Sequence, residues 1–296
     1  GQPLDTKKQI YAQAFAVYAL AEYYRLGASR EALDWAVRLY GLIERHSRDR
    51  QRGGYLEAFD RNWRLLADLR LSDKDANEAK TMNTHLHLLE AYTTLYRVWP
   101  DGQLREDLLH LIDLFLTRFI APHTHHLHLF FDEHWNLKSR TISFGHDIEA
   151  AWLLTEAAAL AGDTLLRKEV EKTAVAIAAA TLTEGVDADG GLFNEAGPQG
   201  LTDTDKHWWP QAEAMVGFWN AWERSGEERY AEAARRSWRF IREYLVDRAG
   251  GEWRWGVHRD GAPMREEDKA GPWKAPYHNT RACLEMIGRL DRWSAS

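Results

Sequence analysis

The chain has 296 residues, is 45% hydrophobic and carries a formal net charge of −7. That is enough apolar material for one large core, and an acidic balance without a clustered basic stripe argues against nucleic acid, whose phosphates need concentrated Lys and Arg. The single Cys283 cannot form an internal disulfide, "GQPLDTKKQ" lacks a signal-peptide apolar stretch, and no run approaches the roughly eighteen apolar residues that cross a bilayer; a soluble cytoplasmic protein is expected.

From the N-terminus, "IYAQAFAVYALAEYYRL" carries apolar residues at Ile10, Ala14, Val17, Ala21 and Tyr24 and a second set at Tyr11, Phe15 and Tyr18. This spacing predicts a helix apolar nearly all round, buried on both sides. The next segment, "REALDWAVRLYGLIERH", has Leu33, Ala36, Val37, Tyr40 and Ile43 on one stripe and charges opposite, and so predicts an outer helix. "RGGYLEAFDRNWRLL" then reads as a hairpin around "DRN". The same order recurs: aromatic hairpins at "GGYLEAFDRNW", "LHLFFDEHWNL", "GGLFNEAGPQG" and "GGEWRWGVHRDG" separate pairs of helices at a period of roughly sixty to seventy-five residues. One buried and one amphipathic helix per unit predict an all-α fold, an α/α toroid with short β-hairpins at one end, forming one domain over residues 1–296 with about eight or nine helices.

Four segments can carry chemistry. In "SFGHDIEAAW", His146 opens a helix with Glu149 three residues on, so that both lie on one face and the carboxylate can tune the imidazole. In "KTMNTHLHLLEAY", His85 and His87 are two apart and face different ways, which suits one site histidine and one packed histidine; periodicity does not say which is which. "KHWWPQAEAMVGF" places Pro210 in a helix first turn, with Trp208 and Trp209 at the rim, where an indole face can meet an apolar sugar face. "GPWKAPYHNTRACLEM" starts another helix with His278 in its first turn, where the helix dipole disfavours the imidazolium and leaves a usable base. In "PHTHHLHLFFDEH", His126 and His128 share a face if extended, but no familiar metal-ligand set is completed, so a solvated hairpin and no metal are expected. There is no phosphate loop or nucleotide fingerprint, and no cofactor is implied.

Taken in order along the chain, "MNTHLHLLEAY", "SFGHDIEAAW", "DTDKHWWPQAEA" and "WKAPYHNTRACLE" resemble the cellobiose 2-epimerases of the N-acylglucosamine 2-epimerase superfamily. The resemblance implies an (α/α)6 toroid and an enzyme that inverts C2 of the reducing-end glucose of β-1,4-linked disaccharides without a cofactor. It implies that His146 and His278 are the two acid/base residues and that Glu149 tunes His146. His87 would line the sugar site, with Tyr11, Trp209, Trp273 and Glu195 as further sugar contacts. Members of the family carry further helices and a site arginine upstream of "GQPLDTKKQIYAQ", so a toroid incomplete at its N-terminus is expected, as a monomer or weak homo-oligomer. Aldose–ketose isomerisation is a plausible side activity.

Three alternatives accompany this reading. A glycoside hydrolase on the same fold would draw its two carboxylates from Asp147, Glu149, Glu195 and Glu213. An N-acylglucosamine 2-epimerase would use the same bases on another sugar. A non-catalytic fragment would bind sugar without exchanging a proton.

Overall fold

The computed structural model describes residues 2–295. Nine α-helices lie among them: α1 (Ile10–Gly27), α2 (Arg30–His46), α3 (Met82–Val98), α4 (Gly102–Leu114), α5 (Phe144–Ala161), α6 (Thr164–Glu184), α7 (Trp208–Ser225), α8 (Glu228–Phe240) and α9 (His278–Ser294). The chain divides into two compact units. The first comprises Gly1–Ala121, His128–Arg140 and Leu153–Val170, and the second Pro122–Leu127, Thr141–Trp152 and Glu171–Ser296. No described helix is long and apolar enough to cross a membrane.

In the first unit α1 packs against both α2 and α3. Its Ile10, Ala14, Val17 and Ala21 are fully buried while Tyr11, Phe15 and Tyr18 are half-buried, so the two predicted stripes differ in depth. α2 buries Leu33, Ala36, Tyr40 and Ile43, the amphipathic pattern expected of an outer helix. α3 is buried over nearly its whole length from Met82 to Leu95. In the second unit the same contrast holds between α7, buried almost continuously from Trp208 to Ala221, and α8, which buries one face through Tyr230, Ala233, Ala234 and Phe240. A glycine makes α7 fit: a Cβ on Gly217 would lie 2.5 Å from the Ile148 side chain, a distance no packed core accepts.

The hairpins obey one rule. Two residues just before a buried helix form a short strand, which pairs antiparallel with a hairpin further along the chain. Thus β1 (Lys8–Gln9) precedes α1 and pairs with β2 (Ala58–Phe59), and β3 (Lys80–Thr81) precedes α3 and pairs with β4 (Phe130–Phe131). In the second unit β5 (Ile142–Ser143) precedes α5 and pairs with β6 (Glu195–Gly197), which continues to β7 (Gly200–Asp203). There too β8 (Lys206–His207) precedes α7 and pairs with β9 (Gly256–Val257). The first turns of these helices are therefore fixed by strand pairing.

Buried lysines brace two of these junctions. Lys80 reaches Asp49 Oδ2 at 2.8 Å in the first unit, and Lys206 reaches Asp187 and Asp189 at 2.7 Å each in the second. Both ammonium groups are buried and paired, the condition under which burial of a charge is tolerated.

Candidate active site

The second unit assembles its candidate site from three helix starts. His146 is the third residue of α5, Trp209 the second of α7 and His278 the first of α9. The Trp209 ring lies 4.7 Å from the His146 ring and 5.4 Å from the His278 ring, centroid to centroid, so one indole touches both imidazoles. Gly145 permits this closeness: a Cβ there would meet the Trp209 ring at 2.5 Å and Pro210 at 3.0 Å. Trp208 is buried, against the expectation that both tryptophans reach the rim. Consecutive residues at a helix start point about 100° apart, so one indole goes inward and the other to the site.

One helical turn beyond each of these residues stands a charged one: Glu149 after His146, Glu213 after Trp209, Arg281 after His278. These three meet. Arg281 Nη2 donates to Glu149 Oε1 at 2.7 Å and to Glu213 Oε1 at 2.6 Å, and Trp152 Nε1 donates to Glu213 Oε2 at 2.9 Å. The guanidinium also lies over the rings of Trp152, at 4.8 Å, and Tyr277, at 4.3 Å, where the aromatic faces attract it.

His278 Nδ1 is 2.7 Å from Glu213 Oε1 and 3.9 Å from Glu149 Oε1. Burial opposes ionisation of Glu213, but the Arg281 charge, His278 and Trp152 outweigh it and hold its carboxyl below the usual range. An ionised Glu213 accepts from Nδ1–H, which leaves Nε2 as the basic nitrogen of His278. His146 has a different partner at Nδ1: Ser143 Oγ, 2.8 Å away in β5. A hydroxyl can donate to Nδ1 or accept from it, so His146 can present Nε2 either bare or protonated.

Glu149, expected beside His146 as its tuning carboxylate, carries a direct bond from Arg281 and stands near His278. Glu195 is the cross-strand partner of Ser143, next to the residue that holds His146. Trp273 is 52% exposed in the loop before α9. That loop is pinned by Lys274 and Asn279, which donate to Glu252 Oε1 at 3.0 and 2.6 Å. Glu149, Glu213 and His278 have ligand atoms within 4.8 Å of one another, close enough for a cation. Arg281 bonds one oxygen of each of these two carboxylates.

In the first unit His87 is buried with Nδ1 3.1 Å from Glu90 Oε2, and its ring packs 5.0 Å from Tyr11 and 4.7 Å from Phe15. His85 is the packed histidine. It accepts the Tyr55 N–H at Nε2 (2.9 Å) and donates from Nδ1 to Thr81 O (2.7 Å), and burial drives its pKa down to about 3. His126 corrects an expectation: it is buried in the second unit against Asp147, and not part of a solvated hairpin.

Arg281 was not singled out from the sequence although it sits within the His278 segment. The signal was the shared spacing, a charged residue three or four positions after each first-turn residue on three helices.

Two imidazoles from different helices lie around one indole, and a carboxylate fixes the tautomer of one of them, an arrangement that acid/base chemistry can use. The chain belongs to the N-acylglucosamine 2-epimerase (GlcNAc 2-epimerase) family, whose model matches residues 1–282. It is 50% identical over 289 residues to a cellobiose 2-epimerase of Bacteroides fragilis, covering 97% of this chain and 74% of that protein. A cellobiose 2-epimerase of Ruminococcus albus is 42% identical over 290 residues, covering 98% and 74%. Among solved structures, a cellobiose 2-epimerase from Bacillus thermoamylovorans B4167 matches with a TM-score of 0.92 at 44% identity, over 98% of this chain and 74% of that one. The expected fold class, all-α of the α/α toroid type, is the class of these structures.

Proposed function

We propose that the chain, read as a single catalytic domain, epimerises C2 of the reducing-end glucose of β-1,4-linked disaccharides such as cellobiose, by two-base proton transfer without a cofactor. The observation that carries this is the placement of His146 and His278 against one Trp209 ring, with a hydroxyl at Nδ1 of the first and a carboxylate at Nδ1 of the second. The relatives named cellobiose 2-epimerase support the substrate class.

In the open-chain aldose, His278 Nε2 takes the C2 proton of the gluco form. The C2–H electron pair becomes the C1–C2 double bond, and O1 takes up the negative charge as an enediolate. His146 Nε2–H then delivers a proton to the opposite face of C2, and the C1 carbonyl reforms in the manno configuration. The roles reverse for the return reaction. Each acid/base partner is worth ~10²- to 10⁴-fold. The N-terminal ends of α5, α7 and α9 add backbone N–H groups and favourable dipoles for the developing anion. The indole of Trp209 offers its face to the sugar, and Tyr11, His87, Glu195 and Trp273 are assigned as further sugar contacts. A cytoplasmic setting and a monomeric or weakly associating state complete the proposal.

The hydrolase alternative is disfavoured by where the carboxylates are. Glu149 and Glu213 share one arginine, and Asp147 is fully buried against His126 and the Leu127 N–H, so of the four carboxyls named for that reading these three are each engaged inside the protein.

The test is proton NMR of cellobiose with the purified chain in D2O. Loss of the reducing-end H2 signal with growth of a manno-configured anomer is expected, and neither in His146→Ala or His278→Ala. Release of glucose would favour hydrolysis. Exchange with N-acetylglucosamine and none with cellobiose would favour the N-acyl sugar. Binding without exchange at C2 would refute the proposal.

A further inference from the structure

Next to His146 on α5 stands a charged residue that the proton transfer does not use. Asp147 is fully buried, and its carboxylate is held from two sides: Oδ1 accepts the Leu127 N–H at 2.8 Å, and Oδ2 is 2.6 Å from His126 Nδ1. His126 is itself buried, and its Nε2 lies 3.3 Å from a carboxylate oxygen of the exposed Glu184 at the end of α6. All these residues belong to the second unit. His125, immediately before, adopts the left-handed conformation at φ 61°, uncommon for a residue with a side chain, and Phe144 packs edge-on against the His126 ring at 5.9 Å.

We propose that the His126–Asp147 pair is a positioning device for His146, a directional clamp that fixes the rotation of the first turn of α5 and with it the approach of the His146 ring to Trp209. A buried charged pair is a poor way to gain stability, because desolvation takes back most of the attraction and an apolar pair of equal volume does as well. What two bonds on one carboxylate add is direction. Rotating the first turn of α5 enough to swing His146 off Trp209 would pull Asp147 from both partners. The strained His125 backbone is the local conformation that turns His126 inward to meet Asp147. Burial pushes the Asp147 carboxyl up, while Asp147 and Glu184 hold the His126 imidazole above its ordinary value against burial; the 2.6 Å bond between them holds with the proton on either partner, and the clamp rests on that bond.

This role rests on the two-base reading for its kinetic consequence, so the experiment carries a readout that does not. His126→Phe, His126→Asn and Asp147→Asn are compared with the parent chain for kcat and KM on cellobiose, for the ring signals of His146 in ¹H–¹⁵N spectra, and for thermal midpoint. Asn at 126 keeps an amide N–H near the place of Nδ1–H and so restores the bond to Asp147. Expected are a kcat lowered about 10-fold or more in His126→Phe and Asp147→Asn, with KM within about two-fold, and recovery to within about three-fold of the parent in His126→Asn; misplacement of a reacting group by about 1 Å is enough for such losses. The His146 ring signals should move in the first two variants and return in the third. If His126→Phe does not fold, Asp147→Asn, which keeps size and shape, carries the comparison. Folded variants with a lowered midpoint but unchanged kcat and unmoved His146 signals would overturn the proposal and leave the pair a purely structural one. A parent chain inactive on cellobiose would instead refute the two-base reading, and the His146 signals would still decide the clamp.

Discussion

Glu213 Oε1 lies 2.7 Å from His278 Nδ1, and the same oxygen takes a bond from Arg281 at 2.6 Å. One carboxylate atom therefore orients the His278 imidazole and anchors the guanidinium.

From this, His278→Asn should separate orientation from chemistry. Asn retains a donor toward Glu213 but has no atom at the place of Nε2. Deuterium exchange at C2 of cellobiose should fall by about 10²-fold or more in both His278→Asn and His278→Ala. Thermal midpoints should stay closer to the parent in His278→Asn, where the buried carboxylate keeps a partner. Appreciable exchange in His278→Asn would remove His278 from the role of base.

Arg281→Met should be costly to stability. It leaves Glu149 and Glu213 in the protein interior with one balancing group fewer, and truncating one partner of a buried ion pair destabilises by about 3–5 kcal/mol. Urea unfolding at neutral pH measures it. The loss should shrink in acid, because protonating the two carboxyls removes their repulsion.

Gly145→Ala should damage activity without touching any polar group. The new methyl must displace the Trp209 ring or tilt the start of α5, since the gap it would need is 2.5 Å from the indole. A fall of about 10-fold in kcat/KM is expected, with altered tryptophan fluorescence and a modest change in thermal midpoint. Unchanged kinetics would mean that Trp209 need not lie against His146.

In the first unit Glu57 predicts a pH signature. Burial pushes its carboxyl up to about 8, against the hydrogen bonds from Thr84 and Thr81 that lower it. A carboxyl whose folded value exceeds its ordinary value of 4.5 binds a proton on folding. Its contribution is therefore fully present below about pH 4.5 and lost as pH rises toward about 8. His85 acts at the other end. Held neutral down to about 3, it contributes stability above its ordinary 6.5 that is lost as pH falls toward 3. Urea midpoints followed from pH 5 to 9 should therefore show an alkaline decline that Glu57→Gln flattens. An unaltered decline in Glu57→Gln would assign it to another group.

The helix pairs and hairpins were legible because their signals are local: apolar spacing for α1 and α2, and Gly-rich aromatic turns between them. The two candidate bases were legible for a similar reason, since Phe144–His146 and Pro276–His278 mark helix starts. Long-range partnership was not. Nothing near Glu149 in the sequence indicates that its bonded cation is Arg281, 132 positions away, and nothing around His126 shows Asp147 beneath it. Trp208 and Trp209 differ for the same reason: of two identical neighbours at the start of α7, Trp208 is buried and Trp209 lies against His146 and His278, which come from distant segments.

Glu149 and Glu213 both bond the Arg281 guanidinium, so two buried carboxyls share one arginine, and His278 Nδ1 stands 2.7 Å from Glu213. On the proposed mechanism, a proton lifted from the sugar onto His278 places a positive charge beside those carboxyls. The charge that abstraction would create on the imidazole thus has a counter-ion in place at Glu213, and it is gone again once the proton leaves. In that reading the carboxyl behind His278 serves as a standing counter-ion, called on once in each turnover.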